Sequence, residues 1–370
     1  MLLQEDFWVC EKSDGQRVLV LIVVPPMTNK QEVYLIDRKN NYYQIWDIFF
    51  PHHNPQSPEA AATAGQRTHT LLDGELVLDA LGPNQTKLRL LLFDCIVIDG
   101  ENISRRSLGR RYARLRSHIF PAYNQHLKRN KLARVKEPFE VMIKPMDLAY
   151  GIETVLRTRV PSLQHKNDGL IFTSLNSSYV CGTDPRILKW KPPHENTIDF
   201  KLQLRFPPKA DKPHEPDFHA KPYFILLQHL GSIQHEFFDY LEMSDDEWEK
   251  WKQSGEQLDD RIVECAWHPP AGDNTSASTW HISRIRDDKQ NANHKKIVKC
   301  IIQSILDGVM EEELLALVPA IRAAWKAPQR VKTREGVAQT KQALTLRRYK
   351  GAGCPPLPMV RGGMPGIVRR

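Results

Sequence analysis

The chain has 370 residues and a formal net charge of +8, with 41% hydrophobic and 26% charged residues. This length allows two domains, each with its own core, and the composition is typical of a folded protein rather than a disordered one. No apolar run approaches the ~18 residues that span a bilayer, and the N-terminus has no signal-peptide pattern. We therefore expect no membrane association.

Basic residues and cysteines are placed in informative ways. Residues 327–370 hold ten Lys or Arg against one Glu, which leaves the rest of the chain with a net charge of −1. We expect this basic tail to be disordered, with nonspecific contact to RNA or another polyanion as the alternative.

The six cysteines include no Cys-x-x-Cys pair, which favours free thiols in a reducing compartment.

The first motif is Lys12-Ser13-Asp14-Gly15-Gln16-Arg17, between a mixed stretch at 7–10 and an apolar run at 18–24. Gly tolerates positive φ and Asp bonds its own backbone, so we expect a tight turn at Asp14-Gly15 between two buried strands. Such a turn would hold Lys12 and Arg17 near the same opening. The alternative is a plain hairpin with a solvated lysine.

The rest of the chain alternates between strand and helix patterns. Alternating or continuous apolar runs bounded by Gly, Asn or Pro are typical of strands, whereas i, i+3, i+4 spacing is typical of helices. The predicted strands are 33–37, 42–46, 70–78 with a turn at Asp73-Gly74, 87–98, 139–144, 167–173, 187–191, 196–202, 223–230, 261–266 and 279–286. The predicted helices are 104–132, 147–160, 244–251 with a capping box, 294–307 and 311–326.

The stretch at 51–67 is predicted to be a loop or a short helix. It contains His52-His53, and the sequence places no third metal ligand nearby. A metal site needs at least three protein ligands in the usual cases. We therefore expect this histidine pair to lie on the surface.

The order of elements predicts an α+β protein in several parts. Antiparallel sheets with flanking helices would occupy residues 1–198, and a small barrel interrupted by one helix would occupy 199–296. Residues 297–326 would form helices that pack back on the body, ahead of the tail at 327–370.

Charged residues recur beside the buried strands. Alternation over 187–192 places Lys189 and Lys191 on one face of a strand. Each charged loop alone is more typical of a hairpin or a solvated edge. Together they would bring a nucleophile, carboxylates and cations to the strand ends of one domain, and residues 284–289 would add cations from the next. The loops are Lys12/Asp14/Arg17, Asp73-Gly74-Glu75, Asp168 and Lys189/Lys191.

These motifs, in this order, resemble the covalent nucleotidyltransferase superfamily, which contains mRNA capping enzymes and polynucleotide ligases. The stretches at 188–200 and 284–294 are similar to fungal mRNA guanylyltransferases, and the resemblance covers about residues 5–325. It implies a nucleotidyltransferase domain over 1–198 and an OB-fold barrel over 199–296. The motifs are Lys-x-Asp-Gly-x-Arg, Asp-Gly-Glu-Leu-Val, Phe-Asp, Asp-Gly-Leu-Ile-Phe, Leu-Lys-Trp-Lys-Pro and Arg-x-Asp-Lys.

The resemblance implies an enzyme, a GTP:RNA guanylyltransferase. Lys12 would attack the α-phosphate of GTP, release pyrophosphate and carry GMP as a phosphoamide to the 5′-diphosphate end of nascent RNA. A covalent intermediate splits one difficult displacement into two easier ones. The alternatives are an ATP-dependent RNA or DNA ligase and a noncatalytic subunit of a capping complex.

The resemblance also implies a role for each motif residue. Asp14 would orient Lys12, Arg17 and Glu75 would face the ribose, and Phe93 would stack on the purine. The remaining nucleotide contacts would come from Lys144 at the base, Lys189 and Lys191 at the α-phosphate, and Arg286, Asp288 and Lys289 at the β- and γ-phosphates after the barrel closes. Asp168 and Glu75 would hold Mg²⁺ or Mn²⁺, which prefer oxygen ligands.

The expected partners follow from the same resemblance. They are 5′-diphosphate RNA, a separate RNA triphosphatase subunit and the phosphorylated C-terminal tail of RNA polymerase II, all in the nucleus. A separate triphosphatase is expected because the chain has no His-Cys-x-x-Gly-x-x-Arg motif. Only eleven residues precede Lys12, so we also expect an N-terminally short domain, with either a truncated sequence or an incomplete nucleotide pocket.

Overall fold

The computed structural model describes residues 1–268 and 279–331 of the chain. The described strands are β1 (Phe7–Ser13), β2 (Gln16–Val23), β3 (Glu32–Ile36), β4 (Tyr42–Ile45), β5 (Thr70–Gly82), β6 (Gln85–Ile98), β7 (Glu101–Asn102), β8 (Glu140–Ile143), β9 (Asp147–Leu148), β10 (Asn167–Ser174), β11 (Leu188–Trp190), β12 (Thr197–Arg205), β13 (Tyr223–Gly231), β14 (Gln234–Tyr240), β15 (Ile262–His268) and β16 (Thr279–Ile285). The described α-helices are α1 (Pro58–Ala62), α2 (Leu108–Arg114), α3 (Phe120–Arg129), α4 (Lys131–Lys136), α5 (Ile152–Thr154), α6 (Asp245–Ser254), α7 (Lys295–Leu306), α8 (Glu311–Ala316) and α9 (Val318–Lys326).

The strands form three sheets. The largest has the order β4-β3-β2-β5-β6-β7 with β8 added on β6, the second has the order β11-β10-β1-β9, and the third has the order β14-β13-β12-β15-β16. All pairings in these sheets are antiparallel except the parallel pairing of β6 with β8. The expected α+β class with antiparallel sheets is therefore confirmed.

The prediction of a tight hairpin turn at Asp14-Gly15 is wrong. β1 and β2 do not pair as a hairpin, because β1 lies in the second sheet and β2 in the largest one. Gly15 does not have positive φ. It is needed for space instead, since a Cβ there would lie 2.4 Å from the carbonyl oxygen of Leu76. The motif therefore links the second sheet to the largest one at a point where Gly15 passes close to the backbone of Leu76.

The turn expected at Asp73-Gly74 is also wrong. Both residues lie inside the continuous strand β5, where Asp73 pairs with Leu19 on one side and with Asp94 on the other. By contrast, the strands predicted at 33–37 and 42–46 are confirmed as β3 and β4, which pair with each other as a hairpin. Asn40 has a φ of 60°, a conformation that Asn adopts more readily than most residues.

Three hydrophobic clusters form the core. The first lies between the largest sheet and the buried side chains of α2 and α3, including Tyr112 and Tyr123. The second fills the third sheet and includes Phe200 and Trp280. The third packs the strands β1 and β10 against α8 and α9. The first and last parts of the described chain are thus buried against each other.

The third sheet comes close to closing on itself. Its two edges meet at one isolated bridge, between Leu241 just after β14 and Trp280 in β16. The described residues contain no continuous ladder between these edges, so the OB-fold barrel and the domain boundaries stay predictions.

The capping box predicted at Ser244 is confirmed, with Ser244 and Glu247 bonding each other's backbone at the start of α6.

Three predicted helices are broken in the structure. The stretch 104–132 forms α2 and α3 with a π-helical turn at Leu115–Ile119 between them. The stretch 147–160 forms β9 and short turns around α5, and 311–326 forms α8 and α9, which are separated by Leu317. Of the predicted tail, only 327–331 are described, so the expectation for 332–370 lies outside the described residues. Within the described ranges, none of the helices has the length and apolar character needed to cross a bilayer.

Candidate active site

Lys12 and Lys191 meet at the carboxylate of Asp168. The Nζ of Lys12 lies 2.5 Å from Oδ1 of Asp168, and the Nζ of Lys191 lies 2.5 Å from its Oδ2. All three side chains are partly exposed, at 22% for Lys12, 31% for Lys191 and 24% for Asp168, so a ligand can reach them. Burial alone would raise the pKa of Asp168, but the two ammonium groups lower it below its ordinary value. The carboxylate therefore stays ionised and holds both amines.

The second sheet brings these residues together. Glu11 pairs with Leu170 and Ser13 with Asn167, so the register between β1 and β10 shifts at Lys12 and sets it beside Asp168. On the other side of β10, Leu170 pairs with Trp190, which places Lys191 next to the same carboxylate. Gly169 has a φ of 139°, and a Cβ there would lie 2.0 Å from the carbonyl oxygen of Trp190. Only glycine allows this close approach.

Arg17 is held in a second group of residues. Its guanidinium donates to both carboxylate oxygens of the fully buried Asp73, at 3.0 and 2.6 Å. The hydroxyl of Tyr179 donates to the same carboxylate at 2.7 Å and accepts from Arg17 at 3.3 Å. These contacts raise the pKa of Arg17 above its ordinary value, chiefly through the hydrogen bond to Asp73. The guanidinium lies 5.8 Å from the centre of the Phe93 ring.

Lys144 is the buried centre of a third group. It is 2% exposed, donates to Ser13 Oγ at 2.7 Å and to Glu75 Oε2 at 3.2 Å, and lies 3.8 Å from Glu11 Oε1. Burial would lower the pKa of the Lys144 amine, but the nearby acidic groups raise it overall. Ser13 and Glu11 flank Lys12 in β1, so this group is joined to the first one through the backbone.

The predicted phosphate contacts of the third sheet form a fourth group. Arg286 donates to both carboxylate oxygens of Asp288 at 2.7 Å and to Asp199 at 2.9 Å. Lys289 also pairs with Asp199. Within the described residues, no hydrogen bond or ion pair joins this group to Lys12, Asp168 or Lys191. The fourth group therefore makes no direct bond to the first among these residues.

Two predicted site residues have no side-chain contact with these groups among the described residues. Asp14 is exposed, and its backbone N–H donates to the carbonyl of Lys166. Lys189 is exposed on β11, where it pairs with Ile171. Both remain close in sequence to contacting residues, so their roles stay predictions.

Sequence reasoning missed several partners of the predicted residues. Tyr179 and Ser13 were given no role, although each bonds a predicted site residue directly. Asp199 was expected only as part of a motif and proves to be the shared anchor of Arg286 and Lys289. No local signal marks Tyr179, and the partners of Tyr179 and Asp199 lie 87 to 162 residues away in the chain.

The carboxylates that were expected to hold a metal do not form a ready three-ligand cluster. Among the described residues, the one group of three close His, Cys, Asp or Glu ligands is His52, His53 and Asp99, outside this site. Asp168 and Glu75 do offer carboxylate oxygens, which suit Mg²⁺ or Mn²⁺. Mg²⁺ commonly uses only one or two carboxylates and completes its shell with water and substrate phosphates. The donors present are therefore compatible with such an ion.

Comparison with known sequences decides the family. The model of the mRNA capping enzyme catalytic domain matches residues 1–193, and that of the mRNA capping enzyme C-terminal domain matches residues 195–315. The chain belongs to the mRNA capping enzyme family. The family resemblance inferred from the motifs is thus confirmed, as is the prediction of an mRNA-capping guanylyltransferase.

Relatives in this family are similar over most of their length. The mRNA-capping enzyme subunit alpha of Schizosaccharomyces pombe is 40% identical over 329 residues, covering 88% of this chain and 77% of that protein. The protein of the same name in Neurospora crassa is 38% identical over 344 residues, covering 88% and 82%. In Saccharomyces cerevisiae the corresponding values are 35% over 357 residues, with 88% and 76% covered.

Solved structures are more distant from this capping-family chain. A mycobacterial DNA ligase D complexed with ATP and MES is 16% identical, with a TM-score of 0.37 over 77% of this chain and 90% of that one. This likeness is too low to support a conclusion about fold or ligand.

Proposed function

We propose that Lys12 is the nucleophile through which this capping enzyme transfers GMP from GTP to the 5′-diphosphate end of RNA. The observation that carries the proposal is the Lys12 amine held 2.5 Å from Asp168, with Lys191 on the other oxygen of the same carboxylate. A reactive amine, a carboxylate and a second cation at one partly exposed point suit the transfer of a phosphoryl group.

The reaction proceeds in two balanced steps. The neutral amine of Lys12 attacks the α-phosphorus of GTP, a P–N bond forms, and the bond to the bridging oxygen breaks to release pyrophosphate. The nitrogen loses one proton to water in this step. A terminal phosphate oxygen of the RNA then attacks the same phosphorus, the P–N bond breaks, and the amine takes up a proton. Asp168 holds the amine in position before the first step, and Lys191 neutralises charge on the α-phosphate.

The other groups bind the nucleotide. Arg17, fixed by Asp73, faces the ribose beside Phe93, which stacks on the purine. Lys144 contacts the base, and its bond to Glu75 keeps that carboxylate turned toward the ribose. Asp14 orients the Lys12 amine, and Lys189 contacts the α-phosphate. Arg286, Asp288 and Lys289 reach the β- and γ-phosphates when the third sheet moves toward Lys12.

Asp168 and Glu75 would hold Mg²⁺ or Mn²⁺. When bound, the ion would neutralise negative charge on the phosphates.

The larger organisation belongs to the same proposal. Residues 1–198 form the nucleotidyltransferase domain, 199–296 an OB-fold domain and 297–326 helices that return to the body. The near meeting of the edge strands at Leu241 and Trp280 supports a barrel of this kind. The enzyme acts in the nucleus with a separate RNA triphosphatase subunit and the phosphorylated tail of RNA polymerase II. The names of the fungal relatives, each a subunit alpha, support a partner subunit.

The test is covalent labelling of the purified chain. With α-labelled GTP and Mg²⁺ or Mn²⁺ we expect a labelled protein band that resists alkali and is lost in acid, as a phosphoamide should be. Lys12→Ala should abolish the band, whereas Lys39→Ala, in the exposed turn between β3 and β4, should leave it unchanged. Labelling from ATP alone would instead indicate ligase chemistry, and a band that persists in Lys12→Ala would refute the proposed nucleophile.

A further inference from the structure

A second cluster of polar side chains lies away from the candidate active site. It joins the loop after β4 to the turn between β6 and β7, where His52, His53 and Asp99 meet. His52 is 5% exposed and Asp99 14% exposed at the side chain, whereas His53 is 31% exposed and faces a cavity of about 300 Å³. None of the three contacts Lys12, Asp168 or Lys191. The proposed guanylyl transfer does not use this cluster.

The spacing of the three side chains suits a tetrahedral ion. Nε2 of His52 lies 3.3 Å from Oδ2 of Asp99, and Nδ1 of His53 lies 3.8 Å from the same atom. Ligands about 2.0–2.1 Å from a tetrahedral Zn²⁺ are separated from one another by about 3.4 Å. The first distance meets this value, and the second requires a shift of a few tenths of an ångström by the partly exposed His53.

The hydrogen bonds of His52 aim its other nitrogen at the carboxylate. Nδ1 lies 2.8 Å from the carbonyl oxygen of Asn54 and accepts from the Asn54 backbone N–H at 3.2 Å. These contacts hold the ring so that Nε2 faces Asp99. A metal ion on Nε2 would lie between the ring and that carboxylate. Metal-bound histidines are commonly oriented by this kind of backbone contact.

Asp99 has a buried oxygen without a partner. Its Oδ2 accepts from the fully buried Arg67 at 2.7 Å, but its Oδ1 is shielded from solvent and has no hydrogen-bond partner among the described residues. An unpaired buried carboxylate oxygen is costly. Arg67 also donates to the carbonyl of His118 at 3.0 Å. This second contact fixes the guanidinium and thereby the orientation of the Asp99 carboxylate.

We propose that His52, His53 and Asp99 form a binding site for one divalent transition-metal ion of the Zn²⁺ or Co²⁺ type. Imidazole nitrogens with one carboxylate favour such ions over Mg²⁺ or Ca²⁺. The ion ties the loop after β4 to the end of β6 and so stabilises the largest sheet. Arg67 and Arg114 add positive charge around the site, and we therefore expect weaker binding than in closed four-ligand zinc sites.

The test uses the purified full chain after treatment with a chelator. Calorimetric titration with Zn²⁺ should give one bound ion for each chain, and Zn²⁺ should raise the melting temperature. His53→Ala should weaken binding at least about tenfold and remove the thermal shift, since loss of even an outer-shell partner costs 10- to 100-fold. His53→Gln serves as a second variant, and the melting temperature without metal reports whether each variant is folded.

The chain offers a matched control in another histidine cluster. The rings of His229, His235 and His294 also lie close together, but Nε2 of His229 and Nε2 of His294 already lie within 3.1 Å of backbone carbonyls. His235→Ala should therefore keep the binding of the unsubstituted chain. Equal Zn²⁺ binding by His53→Ala and His235→Ala, or no binding by the unsubstituted chain, would overturn the proposal. His52 would then be only a polar neighbour of Asp99.

Discussion

At the scale of single residues, Asp168 organises the reactive end of the second sheet. Its two oxygens hold two amines, one proposed as the nucleophile and one as a phosphate contact. Because the amine needs a free lone pair to attack, this pairing has to loosen before transfer. In the proposed mechanism Asp168 therefore positions the amine, and the amine is the group that bonds to phosphorus.

Tyr179 offers a test of the group around Arg17. Tyr179→Phe removes the hydroxyl that bonds both Asp73 and Arg17. Hydrogen bonds of this kind contribute about 0.5–1.5 kcal/mol, so a less firmly held Arg17 should raise the KM for GTP by about three- to tenfold with little change in kcat. Initial rates of adduct formation at varied GTP check this.

The control for Tyr179→Phe is Tyr223→Phe. Tyr223 is 62% exposed on β13, in the third sheet. Its variant should keep the KM of the unsubstituted chain. If both variants behave alike, Arg17 does not act on the nucleotide in the way we propose.

The site could be predicted from sequence only where its chemistry is carried by local motifs. Lys12 and Lys191 stand in motifs with recognisable neighbours, whereas Tyr179 lies in the loop between β10 and β11 without any pattern around it. Its partner Asp73 is 106 residues away, and only the fold brings them together. The expected surface position of the histidine pair is wrong for His52, which is buried beside Asp99 from a distant turn.

At the scale of elements, the strand β1 is the clearest case where local pattern failed. An Asp-Gly pair between two apolar runs is the usual mark of a hairpin. Here the two runs enter different sheets, since β1 finds its partners in β9 and β10 and β2 finds its partners in β3 and β5. Strand identity was predictable from periodicity, but the partners of β1 lie more than 100 residues further along the chain.

Gly169 tests the close packing that sets Asp168 beside Lys191. A Cβ at this position would lie 2.0 Å from the carbonyl oxygen of Trp190, so Gly169→Ala must push β10 and β11 apart. We expect a loss of stability of about 1–3 kcal/mol and a larger loss of adduct formation. Urea unfolding and GTP labelling measure the two effects.

Gly231→Ala separates crowding from backbone strain. Gly231 has a similar φ of 121°, but a Cβ there would have no neighbour within 4 Å. This variant should share only the cost of the positive φ and should retain labelling. Equal losses in both variants would mean that the contact with Trp190 does not position the site.

At the scale of the whole molecule, the third hydrophobic cluster links the C-terminal helices to the strands that carry Lys12 and Asp168. Leu314 in α8 and Ile321 in α9 pack with Phe7 of β1 and Phe172 of β10. The indole N–H of Trp190 also donates to the carbonyl of Val309 at 2.8 Å. The strands that carry Lys12 and Asp168 are therefore supported by a segment about 300 residues after β1 and about 140 residues after β10.

Ile321→Ala tests this support. Ile321 is 2% exposed, and truncation of such a side chain typically costs about 2–5 kcal/mol. We expect a lower midpoint of urea unfolding together with weaker labelling by GTP. Ile297→Ala in α7, where the side chain is 49% exposed, should change neither. Full labelling by a destabilised Ile321→Ala would show that the helices stabilise the chain without supporting the reactive strands.

The central claim is that a single amine, that of Lys12, becomes bonded to the phosphorus of GMP. The most direct measurement is mass spectrometry of peptides from the full chain after incubation with GTP and Mg²⁺ or Mn²⁺, under alkaline conditions that preserve a phosphoamide. The account predicts the added mass of one GMP on the peptide that contains Lys12. Addition at Lys144, Lys189 or Lys191 instead, or no addition on any peptide, would contradict it.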